Sequence, residues 1–435
     1  MPRSPHLLSL LLAGAALAGP PRYTLTDLGT LGGRESRAYG LNSLGAVCGE
    51  AATSHGAMQA FRWTAADGLR GLGTLGGPTS RGYGINDAGW VVGEAETTNG
   101  LRQPFCWTPE TGLQPLPLPA GAPGGVAQAI NASGQIAGAV DQADGPCAAY
   151  WPSPTNLPIL LTATGLAVLA FSLNDAGEVV GQSELGEAVG RVTRAFHRSP
   201  DGVVAAVSPL GEGLSSAARA INAGGQIAGS FEVRAGMTHA FRFDTNGLAD
   251  LDDRNNVFSE AHSLNARGDV VGTCFNGPDD DEQAFLWTEE GMVNLDDLLE
   301  VREPWHVVEA WAIHDDRRIV GCALKEERER AVLLTPVHGP GERLPTARIL
   351  SPAAGTRLAP GQPLELEAAA EAGDGVKRVT FVANGVVIGT ATAAPYRLTW
   401  AEPAAGDVDL VARVVSKTGR GNESGRVRVR VDLPA

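Results

Sequence analysis

One thirteen-residue pattern recurs seven times along this chain, and it constrains the fold more than any other feature. It reads AYGLNSLGAVCGE (38–50), GYGINDAGWVVGE (82–94), AQAINASGQIAGA (127–139), AFSLNDAGEVVGQ (170–182), ARAINAGGQIAGS (218–230), AHSLNARGDVVGT (261–273) and AWAIHDDRRIVGC (310–322). The anchor positions Asn42, Asn86, Asn131, Asn174, Asn222, Asn265 and His314 are 44, 45, 43, 48, 43 and 49 residues apart. That period is the one expected of four-stranded propeller blades.

Each motif reads as a strand, a tight turn and a second strand. Asn followed three residues later by Gly suits a turn whose Gly is left-handed and whose Asn side chain bonds the turn backbone. The seventh copy departs, with His314 and Arg317 in those places, so its turn is expected to be more strained or differently shaped. A second Gly (Gly49, Gly93, Gly138, Gly181, Gly229, Gly272, Gly321) suggests close backbone approach between neighbouring blades. A third strand follows, such as AFRW (60–63) or AFLW (284–287), then a turn such as TPETG (108–112), then a fourth strand such as GLRGLG (68–73).

Four short strands with apolar residues on both faces cannot bury themselves alone and must stack on like neighbours. Gly-containing turns and β-branched runs argue against a helical solenoid of the same period. The seventh repeat stops after its third strand near AVLLTP (331–336), whereas YTLTDLG (23–29) matches a fourth strand. The spacing therefore predicts a seven-bladed β-propeller over 19–337, with repeats near 38–77, 82–118, 127–161, 170–210, 218–252, 261–299 and 310–336, closed by strand 23–29 so that no sheet edge is left free.

With INDAG-VVG, AF-W, TP-TG and DLGTLGG together, the segment from about 23 to 336 resembles the bacterial extracellular HAF-repeat family. The resemblance implies an exported repeat protein with no established enzymatic activity. It supplies no catalytic residues.

Residues 1–18 read as a signal peptide: Arg3, an apolar run from Leu7 to Leu17, and Ala16-Leu17-Ala18 as cleavage site. The expected location is secreted, extracellular or periplasmic, and no later apolar run reaches the length of a transmembrane segment. The net charge is −15, and the segment from Arg343 onward carries 12 Lys+Arg against 9 Asp+Glu, so the acidic excess lies wholly in the preceding body. Such a surface argues against nucleic acid as a partner. Five Cys without a CxxC pair or zinc spacing point to small buried hydrophobes rather than metal or redox chemistry, and no cofactor is expected.

After HGPGERLP, a linker at 338–345, the pattern changes to alternating strands over 346–435, a length that fits one immunoglobulin-like β-sandwich. Asn384-Gly385 between apolar strands signals a type I′ hairpin. The overall expectation is an all-β chain.

Three positions before each anchor stand Tyr39, Tyr83, Gln128, Phe171, Arg219, His262 and Trp311, flanked by small residues. A ring of such groups around a channel is what a sugar-like ligand requires, with inter-blade packing as the competing explanation. Arg37, Arg81, Glu260 and Glu309 lie two residues further out, where the arginines and glutamates of adjacent blades would pair. The ligand-binding candidates are thus Arg37, Tyr39, Arg81, Tyr83, Arg219, Glu260, His262, Glu309 and Trp311. Asp279, Asp280, Asp281 and Glu282 form a weak Ca²⁺ candidate without EF-hand spacing. No catalytic constellation is legible. The expectation is a non-enzymatic binding or adhesion scaffold for a polysaccharide or envelope protein, with a propeller-based glycosidase or lyase and a purely structural envelope protein as alternatives.

Overall fold

The computed structural model of this chain describes residues 21–432 apart from 162–165, 186–191, 208–213, 253, 255, 278–280, 338–344, 373–374 and 418–420. The signal segment 1–18 and all but the last residue of the linker lie outside the described residues. Among the described residues the chain is all-β, with one short 3-10 turn at Leu295–Leu298. Among the described residues no helix is long and apolar enough to cross a membrane.

The repeats build seven sheets of four antiparallel strands each. Sheet 1 comprises Gly32–Leu41, Val47–Thr53, Met58–Thr64 and Gly68–Gly73 in that order. Sheets 2 to 6 repeat the arrangement, starting at Gly76–Ile85, Gly125–Ile130, Leu166–Leu173, Ser216–Ile221 and Phe258–Leu264. Sheets 5 and 6 also share one parallel bridge, Thr238 to Phe258. Sheet 7 comprises Trp305–Ile313, Ile319–Lys325 and Arg328–Val337, and its fourth strand is Arg22–Asp27 from the other end of the chain, in register from Arg22↔Val337 to Asp27↔Val332.

Apolar residues on both sheet faces create cores between sheets rather than within them. Separate clusters fill the space between consecutive sheets: Cys48 and Ala60 of sheet 1 with Val91 and Phe105 of sheet 2, for example, or Val180 and Ala195 of sheet 4 with Phe241 of sheet 5. Another joins Val320 and Leu333 of sheet 7 to Ala38, Val47 and Phe61 of sheet 1.

The anchor asparagines explain the turn motif. In sheet 1, Asn42 Oδ1 accepts from the N–H groups of Leu44 (3.1 Å) and Ala46 (2.8 Å), while Gly45 takes φ +80°. The Asn42 amide donates outward, to the Asn86 carbonyl at 3.0 Å. The same link runs from Asn86 to Asn131, Asn131 to Asn174, Asn174 to Asn222, Asn222 to Asn265 and Asn265 to His314. Each motif thus shapes its own turn and ties it to the next sheet. In the seventh motif Arg317 takes the left-handed place, at φ 67°, and its guanidinium pairs with Asp269 at 2.8 Å.

The second glycine of the motif has a different role from the one its position suggested. A Cβ at Gly49, Gly93, Gly181 or Gly272 would run into the carbonyl oxygen of Arg37, Arg81, Leu169 or Glu260, on the first strand of the same sheet, and into the Phe of the third strand. The close approach is therefore internal to the sheet. It arises because the first strand bulges: in every sheet the register slips across the residue three before the anchor, as between Ala38 and Gly40 or Ala310 and Ala312. Gly272→Ala is expected to cost about 3 kcal/mol through backbone overpacking. Gly277→Ala, with nothing within 4 Å of the added methyl, should stay within about 0.5 kcal/mol. Urea denaturation of the two variants checks the contrast.

The C-terminal domain is a sandwich. One sheet pairs Thr346–Ser351, Leu364–Glu371 and Tyr396–Trp400; the other is built on Gly406–Ser416, with Val376–Ala383 and Val427–Val431 beside it. Phe381, Leu410, Ala412 and Val414 are fully buried between them. Asn384 (φ 48°) and Gly385 (φ 90°) form the two-residue hairpin loop that their sequence signals. The domain rests on the turns of sheets 1 and 2: Arg378 reaches Asp87 Oδ2 at 3.0 Å and Arg413 reaches the Asp87 carbonyl at 2.6 Å.

Candidate functional site

The residue that each bulge lifts out of the ladder is the large one three before the anchor. A bulge re-aims its side chain, and here seven bulges bring Tyr39, Tyr83, Gln128, Phe171, Arg219, His262 and Trp311 around one cavity of about 340 Å³. Their rings touch in sequence. His262 stacks on Trp311 (4.2 Å between centroids, 11° between planes), Trp311 meets Tyr39 edge-on at 5.5 Å, and Tyr39 lies 5.5 Å from Tyr83. The Arg219 guanidinium sits 4.2 Å over the Phe171 ring. Small residues on either side of each bulged position let these side chains converge.

A layer of charge supports the ring. Glu50, only 1% exposed, accepts from Tyr39 Oη (2.8 Å), Arg81 Nε (2.8 Å) and Arg37 Nη1 (3.5 Å). Glu94 accepts from Tyr83 Oη (3.3 Å), Arg81 and Arg102. Arg37 also pairs with Glu329 of sheet 7. A buried carboxylate is tolerable only with such donors around it. The arginines therefore do not pair with Glu260 and Glu309, as their position in the first strand suggested. Glu260 instead takes Arg219 Nε at 2.6 Å, and Glu309 accepts from Trp311 Nε1 at 3.0 Å. The signal for the true partners lies at the edges of the motif: Glu50 and Glu94 end the two copies that Arg37 and Arg81 immediately precede, and in the antiparallel hairpin those residues face each other.

Burial pushes the Glu309 carboxyl above its ordinary range, against the bond from Trp311. Burial likewise lowers His262. His262 Nδ1 donates to the Ala310 carbonyl at 3.1 Å, and its Nε2 lies 3.9 Å from Glu260 Oε2. The site offers aromatic area, one cation and hydrogen-bonding groups.

Of the Ca²⁺ candidate, Asp279 and Asp280 lie outside the described residues, while Asp281 and Glu282 are exposed. Among the described residues no group of three or more His, Cys, Asp or Glu side chains could hold a metal ion. Cys48, Cys106, Cys274 and Cys322 are buried and Cys147 half-buried, all as free thiols.

The turns that carry the anchors differ. There the anchors Asn42, Asn86, Asn131 and Asn174 line a second cavity of about 400 Å³, and Lys377 and Arg378 of the sandwich domain line it too. That mouth is partly covered by the C-terminal domain.

Residues 345–412 match the bacterial Ig domain family, so the C-terminal sandwich is a bacterial Ig domain. The chain as a whole is an all-β repeat protein that carries this domain at its C-terminal end. No curated protein matches it. Among solved structures it is similar to the fibronectin(III)-like modules of Clostridium thermocellum CbhA at 30% identity, over 21% of this chain and 99% of that one, with a TM-score of 0.20. It is also similar to a putative TolB from Agrobacterium tumefaciens at 13% identity, over 62% of this chain and 94% of that one, with a TM-score of 0.37.

Proposed function

We propose that this chain is an exported, non-enzymatic binding scaffold: a closed seven-bladed propeller that holds a carbohydrate ligand over its axis, with the Ig domain as spacer or attachment module. The observation that carries the reading is the single cavity lined by one bulged side chain from each of the seven sheets. Closure is supported by the apolar cluster between sheets 7 and 1 and by the Arg22–Asp27 strand in sheet 7. Export is supported by the signal-like residues 1–18, the resemblance to extracellular HAF repeats and the bacterial Ig domain.

The ligand approaches from the mouth on the side of the loops that join one sheet to the next, because the other mouth lies against the Ig domain. Aromatic faces take the apolar face of a sugar ring, while Arg219, Gln128 and the Nε2 of His262 meet its hydroxyls. Arg37 and Arg81, already engaged by Glu50, Glu94 and Glu329, form a charged rim instead of free donors. His262 and Tyr39 both pack on Trp311, so Tyr83 and what remains accessible of Trp311 carry most of the contact.

The test is a glycan array with the mature chain, followed by titration of the best hit. Trp311→Ala and Tyr83→Ala are each expected to cost about 1 to 3 kcal/mol of binding, with the strand content unchanged by circular dichroism. Normal binding by both variants, or ligand that is cleaved on incubation, would point away from this reading.

A further inference from the structure

A third cavity, of about 750 Å³, lies where the Ig domain rests on sheets 1 and 2. Its walls include Arg62, Trp107 and Pro109 of the repeats and Arg413, Asn422 and Ser424 of the Ig domain. At its floor the Nε of Arg62 is buried without a hydrogen-bond partner, and Arg62 forms no ion pair among the described residues. Burial, first, and the neighbouring Arg413 disfavour its charged form and outweigh Asp67 and Glu423, which line the same cavity without pairing with it. Arg413 is itself satisfied by Glu423 and the Asp87 carbonyl.

The chain contains its own control for this arginine. Arg242 occupies the same place in the third strand of sheet 5, and there the turn of sheet 6 supplies Glu289 at 2.8 Å, with the Gly268 carbonyl at 3.3 Å and the Trp287 ring 4.9 Å below the guanidinium. In sheet 2 the positions equivalent to Gly268, Trp287 and Glu289 are Gly89, Trp107 and Pro109. Glycine and tryptophan are kept, but the carboxylate is replaced by a proline. The cavity opens where that carboxylate would stand. A buried guanidinium without a directly paired carboxylate is costly, and a ligand carboxylate would supply that charge-assisted pair.

We propose that this interdomain cleft binds an acidic oligosaccharide, with the carboxylate of a uronic acid on Arg62. Trp107 and Pro109 offer apolar walls to the sugar rings; Asn422 and Ser424 already bond within the chain, to Pro345, Glu423, Ala412 and Gly425, and offer hydroxyls only their remaining amide N–H and lone pairs. A saccharide fits these walls better than a peptide, because an aromatic face and scattered short polar groups suit flat, hydroxylated rings.

The experiment is calorimetric titration of the full chain with galacturonate and mannuronate trimers, their methyl esters and triglycine. At least one acid trimer is expected to bind, while the esters and the peptide do not. Arg62→Met should weaken binding roughly tenfold or more. Pro109→Glu should do the same while raising the melting temperature, since it rebuilds the Arg242–Glu289 pair within the chain. Trp311→Ala, in the axial cavity, should leave this binding unchanged, which separates the cleft from the axial site. Failure of both trimers to bind, binding by triglycine alone, or binding that survives Pro109→Glu would overturn the proposal.

Discussion

Deletion of residues 19–31 is expected to lower the melting temperature by roughly 10 °C or more and to make the chain associate. The strand Arg22–Asp27 forms the outer edge of sheet 7 through six paired positions, and the Leu28 N–H extends the ladder to the Ala331 carbonyl at 3.0 Å. It also buries Tyr23 completely, in a cluster with Leu295, Leu299 and Leu334, and Leu28 against sheet 1. Each fully buried side chain of this size contributes about 1.5–3 kcal/mol, so the loss approaches 5 kcal/mol before the exposed edge is counted. A fall of that size corresponds to roughly 7–8 °C in a repeat body of this length, and the exposed edge adds to it. The deletion also leaves Arg328–Val337, with its apolar centre Ala331–Leu334, as an open edge, which is a template for pairing with another chain. Thermal unfolding and size-exclusion chromatography measure both effects, and the peptide 19–31 added in trans should reverse them. Unchanged melting and a monodisperse truncated chain would refute the closing role of this strand.

The physical reason this strand could be anticipated is that fourth strands carry a recognisable end, LGTLGG, which appears both at 28–33 and at 72–77. Turns were legible for a similar reason: the Asn and Gly that build them act locally, through the Asn side chain and the positive φ of Gly, and the Asn384-Gly385 hairpin follows the same rule. The Ig domain was legible from a change in period and composition. The bulge was not. Small residues on both sides of Tyr39 or Trp311 read equally well as one face of a regular strand, and only the register slip reveals that the large residue has left the ladder. The same blind spot misplaced the role of Gly49 and its equivalents, which face the bulged strand of their own sheet. Partners across space were misread: Arg37 and Arg81 were expected to meet Glu260 and Glu309, whereas their partner Glu50 stands across the hairpin from Arg37. The pairing of Arg37 with Glu329 joins the first repeat to the last, and no local pattern encodes it. The vacancy at Arg62 needed the comparison of two repeats in three dimensions, since Pro109 is an ordinary turn residue in the sequence.

Replacement of Arg318 is expected to destabilise the chain about as much as losing a buried ion pair, roughly 3–5 kcal/mol. Six anchor asparagines tie each sheet to the next, but His314 makes no such bond to Asn42, so the joint between sheets 7 and 1 needs another device. Arg318, four residues after the anchor, provides it: Nη2 donates to the Ser43 carbonyl at 2.7 Å while Nε holds Asp316 at 2.8 Å. His314 Nδ1 lies 3.2 Å from the other oxygen of Asp316. Burial alone would raise the Asp316 carboxyl, but the His314 bond and the Arg318 charge overcome it and hold it at about 2. A carboxyl depressed in the folded state contributes stability above its unfolded value, near 3.8, and loses it as pH falls toward 2. The contribution is about 2 kcal/mol at neutral pH. Denaturation midpoints at pH 5 and pH 2.5 should therefore converge in Asp316→Asn relative to the parent chain, whose acid limb is steeper. Arg318→Lys should not restore the parent stability, because an ammonium on a flexible stem cannot hold the carboxylate and the Ser43 carbonyl in one planar fork. A parent-like midpoint for Arg318→Ala at neutral pH, together with an unchanged acid limb in Asp316→Asn, would show that sheets 7 and 1 are held by their apolar contact alone.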